Sequence, residues 1–425
     1  APAIVIDTVA PTVAIAATKQ TLIANQRTRI TFTLSKPSVS FVIGDVTASG
    51  GLLSNFKGSG TTYSVRFTPT ASYAGSGRIS ILAGSFTDTV GNRNTAGSLA
   101  PAIAIDTVAP TVAIAATKQT LIANQTTTIT FTLSKPSVSF GIGNVTASGG
   151  VLSNFKGSGT KYSAVFTPTA SYAGSGIISI LAGSFTDSVG NRNTAGSLAP
   201  AIVIDTVAPT VAIAATQQTL IANQSTTITF TLSKPSVTFV IGDVTASGGV
   251  LSNFKGSGTT YSAVFTPTAS YTGSGIISIA AGSFTDTVGN RNTAGSLAPA
   301  IVIDTVAPTV AIAATKQTLI ANQRTRITFT LSKPSVSFVI GDVTASGGLL
   351  SNFKGSGTTY SVRFTPTASY AGSGRISIAA GAFTDGLGNT SRAAVLSTPI
   401  VIDTIPPAIT ITRTVSVGRI TTVTF

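Results

Sequence analysis

RTRITFTL, residues 27–34, alternates polar and apolar side chains without a break, with Ile30, Phe32 and Leu34 on one face and polar residues on the other. A period of two over eight residues is the pattern of a strand that turns one face to a core. Reading outward, residues 12–17 alternate after Pro11, a residue suited to a strand start. On the other side, the Lys36-Pro37-Ser38 turn leads into a strand predicted over 40–46. Residues 52–56 and 63–68 flank Gly58-Ser59-Gly60 as a hairpin, and 79–82 and 103–105 supply the last two strands. Seven or more short strands separated by turns, with no helical period, predict a β-sandwich.

The whole set recurs. IDTVAPTVAIAAT places its Asp at Asp7, Asp106, Asp205 and Asp304, always 99 residues apart, and a diverging copy, IDTIPPAITIT, opens at Asp403. A unit of that length matches an immunoglobulin-like sandwich, whereas 20–50 residues would mean a solenoid or propeller. The expected organisation is all-β, tandem immunoglobulin-like β-sandwich domains in an extended rod. Repeats occupy 8–106, 107–205, 206–304 and 305–403, with 1–7 ending a preceding repeat and 404–425 starting a divergent fifth. Residues 1–7 lack the basic start and long apolar stretch of a signal peptide, and Phe425 falls in mid-strand, so both ends read as cuts through a longer molecule.

Composition narrows the function. Charged residues make up 9% of the 425, and Cys, Met, Trp, His and Glu are absent. Without Cys and His there is no disulfide framework, thiol nucleophile or usual general base, and most transition-metal sites are excluded. The GSG motifs sit in hairpin turns rather than before a helix, so they are not phosphate loops. The chain is therefore expected not to be an enzyme. One covalent scheme remains, an amide crosslink between Lys36 and Asn94 with Asp88 beside them. No 18-residue apolar run exists to span a membrane. The net charge of +14 comes from scattered single Lys and Arg with no nucleic-acid module, which argues against nucleic acid and for an anionic cell-surface polysaccharide.

All but one of the 29 aromatics fall in seven columns, represented in the first repeat by Phe32, Phe41, Phe56, Tyr63, Phe67, Tyr73 and Phe86. These columns are the expected core, with Tyr63 and Tyr73 the alternative candidates for a ligand platform. Repeats one and four carry Arg27, Arg29, Arg66 and Arg78, and Arg324, Arg326, Arg363 and Arg375, where the middle repeats are uncharged, as at Thr126, Thr128, Val165 and Ile177. All four positions alternate away from the core. Block duplication accounts for the pattern; the sharper reading is lateral contact, with Val165 and Ile177 packing against another copy of the chain.

The stretches DTVAPTVAI, TLIANQRTRITFTLS, GDVTASGGLLSNFKGSGTTYSVRFTPTA and ISILAGSFTDTVGN resemble the bacterial immunoglobulin-like repeats of giant biofilm-associated and RTX-type surface adhesins. The resemblance covers the four complete repeats. It implies extracellular stalk modules at the bacterial surface that contact neighbouring repeats, and Ca²⁺ near the domain junctions. The chain departs from that pattern in carrying Lys36, Lys135, Lys234 and Lys333 where the family often has an acid.

All twelve acids are Asp, in three columns. One is the linker column, Asp7, Asp106, Asp205, Asp304 and Asp403. Another is Asp45, Asp243 and Asp342, with Asn144 in repeat two. The last is Asp88, Asp187, Asp286 and Asp385, each followed by a Gly-Asn pair ending at Asn92, Asn191, Asn290 and Asn389. In an immunoglobulin-like order the linker and the loop before the last strand share a pole, bringing Asp106 and Asp187 together with the Asn191 carbonyl. Oxygen ligands of this kind suit Ca²⁺. Two other readings are open: the Asp side chains form turns and caps, or they pair with the lysine column. A laterally packing surface-layer or filament subunit stands as the alternative to a stalk, because the surface is poor in charge.

Overall fold

The computed structural model describes residues 6–410, 414–418 and 420–423. The expected strand of a preceding repeat in residues 1–5, and Phe425, lie outside the described residues. In the first repeat the strands are β1 (Val13–Ala17), β2 (Thr21–Ile23), β3 (Thr28–Ser38), β4 (Val46–Ser49), β5 (Gly51–Pro69), β6 (Ala74–Ile81), β7 (Gly97–Ser98) and β8 (Ile103–Asp106). They form a sandwich of a three-stranded sheet, β1-β3-β5, and a second sheet, β2-β8-β6-β4, with β7 paired to β6. The other three repeats reproduce this order strand for strand. Residues Thr414–Val417 and Ile420–Val423 pair as an antiparallel hairpin after the fourth repeat.

Alternation builds the core as expected. In β3, Ile30, Phe32 and Leu34 are buried, and Phe32 lies opposite Ile15 on one side and Tyr63 on the other. Phe41 is the hub, packed edge-on to Phe32 and Tyr63 and tilted against Phe86. Tyr63 is 5% exposed and its hydroxyl donates to the Ser38 carbonyl at 2.7 Å, so it is a core residue and cannot serve as a ligand platform. Each repeat has its own cluster of this composition.

Two local expectations are corrected. Residues 40–46 are not a strand: Ile43–Asp45 is a 3-10 turn, and only Val46 begins β4. The apolar pair Val42 and Ile43 is exposed, and the Asp45 carboxylate accepts the Val42 N–H at 2.8 Å, which gives the backbone a local alternative to a ladder. Lys36-Pro37-Ser38 is no turn either; it is the end of β3. Pro37 has no N–H to donate, and the β3–β5 register shifts between Thr33 and Ser38. The irregularity leaves Lys36 beside the incoming linker.

The chain divides into two compact units, Ala1–Val207 and Ala208–Phe425, each holding two complete repeats. Among the described residues, no helix is long and apolar enough to cross a membrane.

Candidate functional site

The lysine column sits among the aspartates. In the first unit the Lys135 ammonium lies 2.6 and 2.8 Å from the two carboxylate oxygens of Asp106, 2.6 Å from the Val108 carbonyl and 3.3 Å from Asp187 Oδ2. Lys333 repeats this set with Asp304 at 2.6 and 2.8 Å, the Val306 carbonyl at 2.6 Å and Asp385 at 3.1 Å. Lys36 bridges Asp7 and Asp88, and Lys234 lies 3.2 Å from Asp286. Of the predicted pair, then, Asp106 and Asp187 do meet, through a lysine.

Each turn Asp is positioned by its own loop. Asp187 Oδ1 accepts N–H bonds from Val189, Gly190 and Asn191, and Oδ2 accepts from the Asn191 side chain at 3.2 Å. Gly190 adopts φ +106°, a backbone conformation open to glycine, which lets the loop fold back over the carboxylate. The Asn191 carbonyl, expected among the ligands, faces into this loop and accepts the Asp187 N–H at 3.0 Å. Linker aspartates also make a local bond: Asp106, Asp205, Asp304 and Asp403 each accept the N–H two residues on.

Burial pushes the Asp187 carboxyl up, but the Asn191 backbone and side chain, the Lys135 ammonium and the Gly190 N–H outweigh it and hold the group below the usual 3.8. Asp286 and Asp385 are held down in the same balance by Asn290 with Lys234, and by Asn389 with Lys333. Desolvation lowers the Lys333 ammonium, yet Asp304 and Asp385 more than offset it and raise the group above 10.5.

Sequence reasoning valued Asn191 for its carbonyl and missed its side chain. Asn191 is 1% exposed; Oδ1 accepts the Ala24 N–H of the preceding repeat at 2.9 Å, while Nδ2 donates to the Asp106 carbonyl of the linker at 3.0 Å. One amide therefore joins first repeat, linker and second repeat. The second unit repeats the contact between repeats, with Asn389 Oδ1 accepting the Ala222 N–H at 2.9 Å while its Nδ2 donates to Asp385 within its own loop. The signal was present as the invariant Asn that follows Gly in all four units.

The donor set suits an ammonium and does not fit Ca²⁺. Calcium takes six to eight oxygens at about 2.3–2.6 Å, whereas here Lys135 fills the space between the carboxylates and Asn191 donors occupy Asp187. Among the described residues, no group of three or more acidic side chains that could hold a metal is found. The Asp45 column caps its 3-10 turn, and Asn144 does so equally by accepting the Gly141 N–H at 2.7 Å, so charge is dispensable there. Lys36 and Asn94 are engaged apart: the Asn94 amide bonds the Leu82 and Thr95 carbonyls and the Phe86 N–H.

A family profile described as bacterial Ig-like domain matches residues 7–105, 106–204, 205–303 and 304–402. The chain belongs to this family. No curated protein matches it. Solved structures that resemble this bacterial Ig-like array include the Escherichia coli adhesin FdeC (16% identity, 69% of this chain and 96% of that one, TM-score 0.28). Invasin, a bacterial integrin-binding protein, shows 11% identity over 93% and 79% of the two chains, with TM-score 0.27. The S-layer protein SbsC shows 15% identity over 96% and 56%, with TM-score 0.21. These likenesses are to the fold alone.

Proposed function

We propose that this bacterial Ig-like array is a structural spacer in a large extracellular bacterial adhesin, holding an adhesive region away from the cell for surface attachment or biofilm formation, and that it catalyses nothing. The observation that carries the reading is the Asn clip: at each described junction within a unit a buried amide accepts a backbone N–H of the preceding repeat. Linker residue Thr107 is buried too, with its hydroxyl donating to the Thr70 carbonyl and accepting the Tyr73 N–H. A linker tied at both ends restrains bending, which is what a spacer requires. In this reading the tethered ammonium of Lys135 and its equivalents takes the place of the Ca²⁺ that the adhesin resemblance implies, and stiffness needs no metal.

Small-angle scattering of the full chain in Ca²⁺ and then in chelator tests this. The expected result is an elongated monomer with the same maximum dimension in both. A shorter particle in chelator would show that metal holds the junctions, and a flexible-chain profile in both would end the spacer reading. One observation favours a second reading, a laterally packing surface-layer or filament subunit: Val39, Val138, Val237 and Val336 form a column at least 85% exposed. Forward scattering that grows far beyond one chain's mass would support it.

A further inference from the structure

Repeats one and four each carry a groove that the spacer reading leaves unused. On the outer face of β3 and β5, Arg27, Arg29, Lys57 and Arg66 line a cavity of about 510 Å³ with Asn55 and Ser64. In the fourth repeat Arg324, Arg326, Lys354 and Arg363 line its counterpart of about 440 Å³ with Asn352 and Ser361. No acidic residue lines either one.

The charges are not placed for stability. Arg29 lies directly opposite Arg66 in the antiparallel register, as Arg326 does opposite Arg363. Like charges across a sheet repel and destabilise the pair. Among the described residues, none of these cations is in an ion pair with an Asp. Arg29 is held by a bond from Nη2 to Ser64 Oγ at 3.1 Å, and Arg326 by the same bond to Ser361, which leaves the other guanidinium donors facing the groove. Repeats two and three fold without the arginines, carrying Thr126, Thr128 and Val165, and Ser225, Thr227 and Val264. The cluster is therefore not needed for the sandwich.

We propose that these two grooves bind the oxyanion groups, sulfate or carboxylate, of an acidic polysaccharide, and that repeats one and four are the binding repeats of the array. Guanidinium forks match oxyanions in a bidentate geometry. Groove linings without an aromatic lack the stacking platform that single-stranded nucleic acid uses. A polymer with many anionic groups suits a chain that carries two such sites.

The test is calorimetric titration of the full chain with heparin, with polygalacturonate and with single-stranded DNA at roughly 50 mM salt, where phosphate contacts are strongest. The variant Arg29→Thr/Arg66→Val/Arg326→Thr/Arg363→Val installs the residues of the middle repeats, which form the same sandwich, so loss of binding is separable from loss of fold by circular dichroism. The expected result is two polysaccharide sites per chain, and a loss on the order of tenfold or more in affinity, with a shallower salt dependence, in the variant. The reciprocal Thr126→Arg/Thr128→Arg/Val165→Arg should add a third site beside Lys156. Undiminished binding by the fourfold variant would overturn the proposal. So would DNA binding as tight as polysaccharide binding, which would reduce the effect to general basic charge.

Discussion

Asn191 bonds residues of both repeats at the junction. Truncating it to Ala leaves the part-buried Ala24 N–H and Asp106 carbonyl without this partner. A fully buried donor so orphaned costs about 1–3 kcal/mol, and a part-buried one less. Asn191→Ala should lower the calorimetric midpoint of the second repeat and speed proteolysis at residues 107–110; an unchanged midpoint and cleavage rate would mean the clip is ornamental. The aspartates add a pH dependence of defined sign. Asp187, Asp286 and Asp385 titrate below 3.8 in the fold, so near pH 4 the unfolded chain binds more protons than the folded one. The stability they contribute is present above that range and is lost as pH falls through their folded values. Lys333, raised above 10.5, keeps its contribution until pH rises through its folded value. Scanning calorimetry should therefore find a flat midpoint through neutral pH and a fall below about pH 4, and Asp187→Asn should flatten that fall for the second repeat.

At the scale of the element, the strands were legible wherever alternation ran for several residues, as in β3; residues 52–56 and 63–68, expected as two hairpin arms, both fall within the single element β5. The misreading of 40–46 has a physical cause. Val42 and Ile43 look like core residues by type, but only Phe41 reaches the core, and the Gly44-Asp45 step closes a 3-10 turn on the Asp45 carboxylate. Lys36-Pro37 looked like a turn because proline breaks a ladder. In the fold it breaks the ladder without ending the strand, and the shifted register sets Lys36 against Asp7. Close approaches also escaped the sequence: a Cβ on Gly51 would sit 2.4 Å from the Thr68 carbonyl oxygen and 2.6 Å from the Phe67 ring, so this position admits no side chain. The Arg pairs opposed across β3 and β5 could be placed on the surface by alternation, but their direct pairing depends on the register between strands.

For the molecule as a whole, four separate cores mean that destabilisation stays local. Phe131 is fully buried in the second repeat's cluster, and Phe→Ala in such a site costs about 3–5 kcal/mol. Phe131→Ala should split off one early calorimetric transition carrying about a quarter of the enthalpy, with the other repeats melting as before; a single cooperative shift of the whole curve would show coupling the cores do not suggest. The four tandem repeats, the sandwich class and the aromatic columns, of which Phe56 and Tyr73 are only partly buried against the core, were legible in the sequence alone. They are one-dimensional properties, carried by a period of two, a period of 99 and an inventory of residue types. Which polar groups meet was decided by the tertiary structure. Asp106 and Lys135 are 29 residues apart, Lys135 and Asp187 are 52 apart, and Ala24 and Asn191 are 167 apart. Contacts over such separations follow from strand register, a break at Pro37 and the stacking of one repeat on the next, none of which local propensity encodes. For that reason the same aspartates could be read as a calcium site in the sequence and stand in the fold as the acceptors of a lysine.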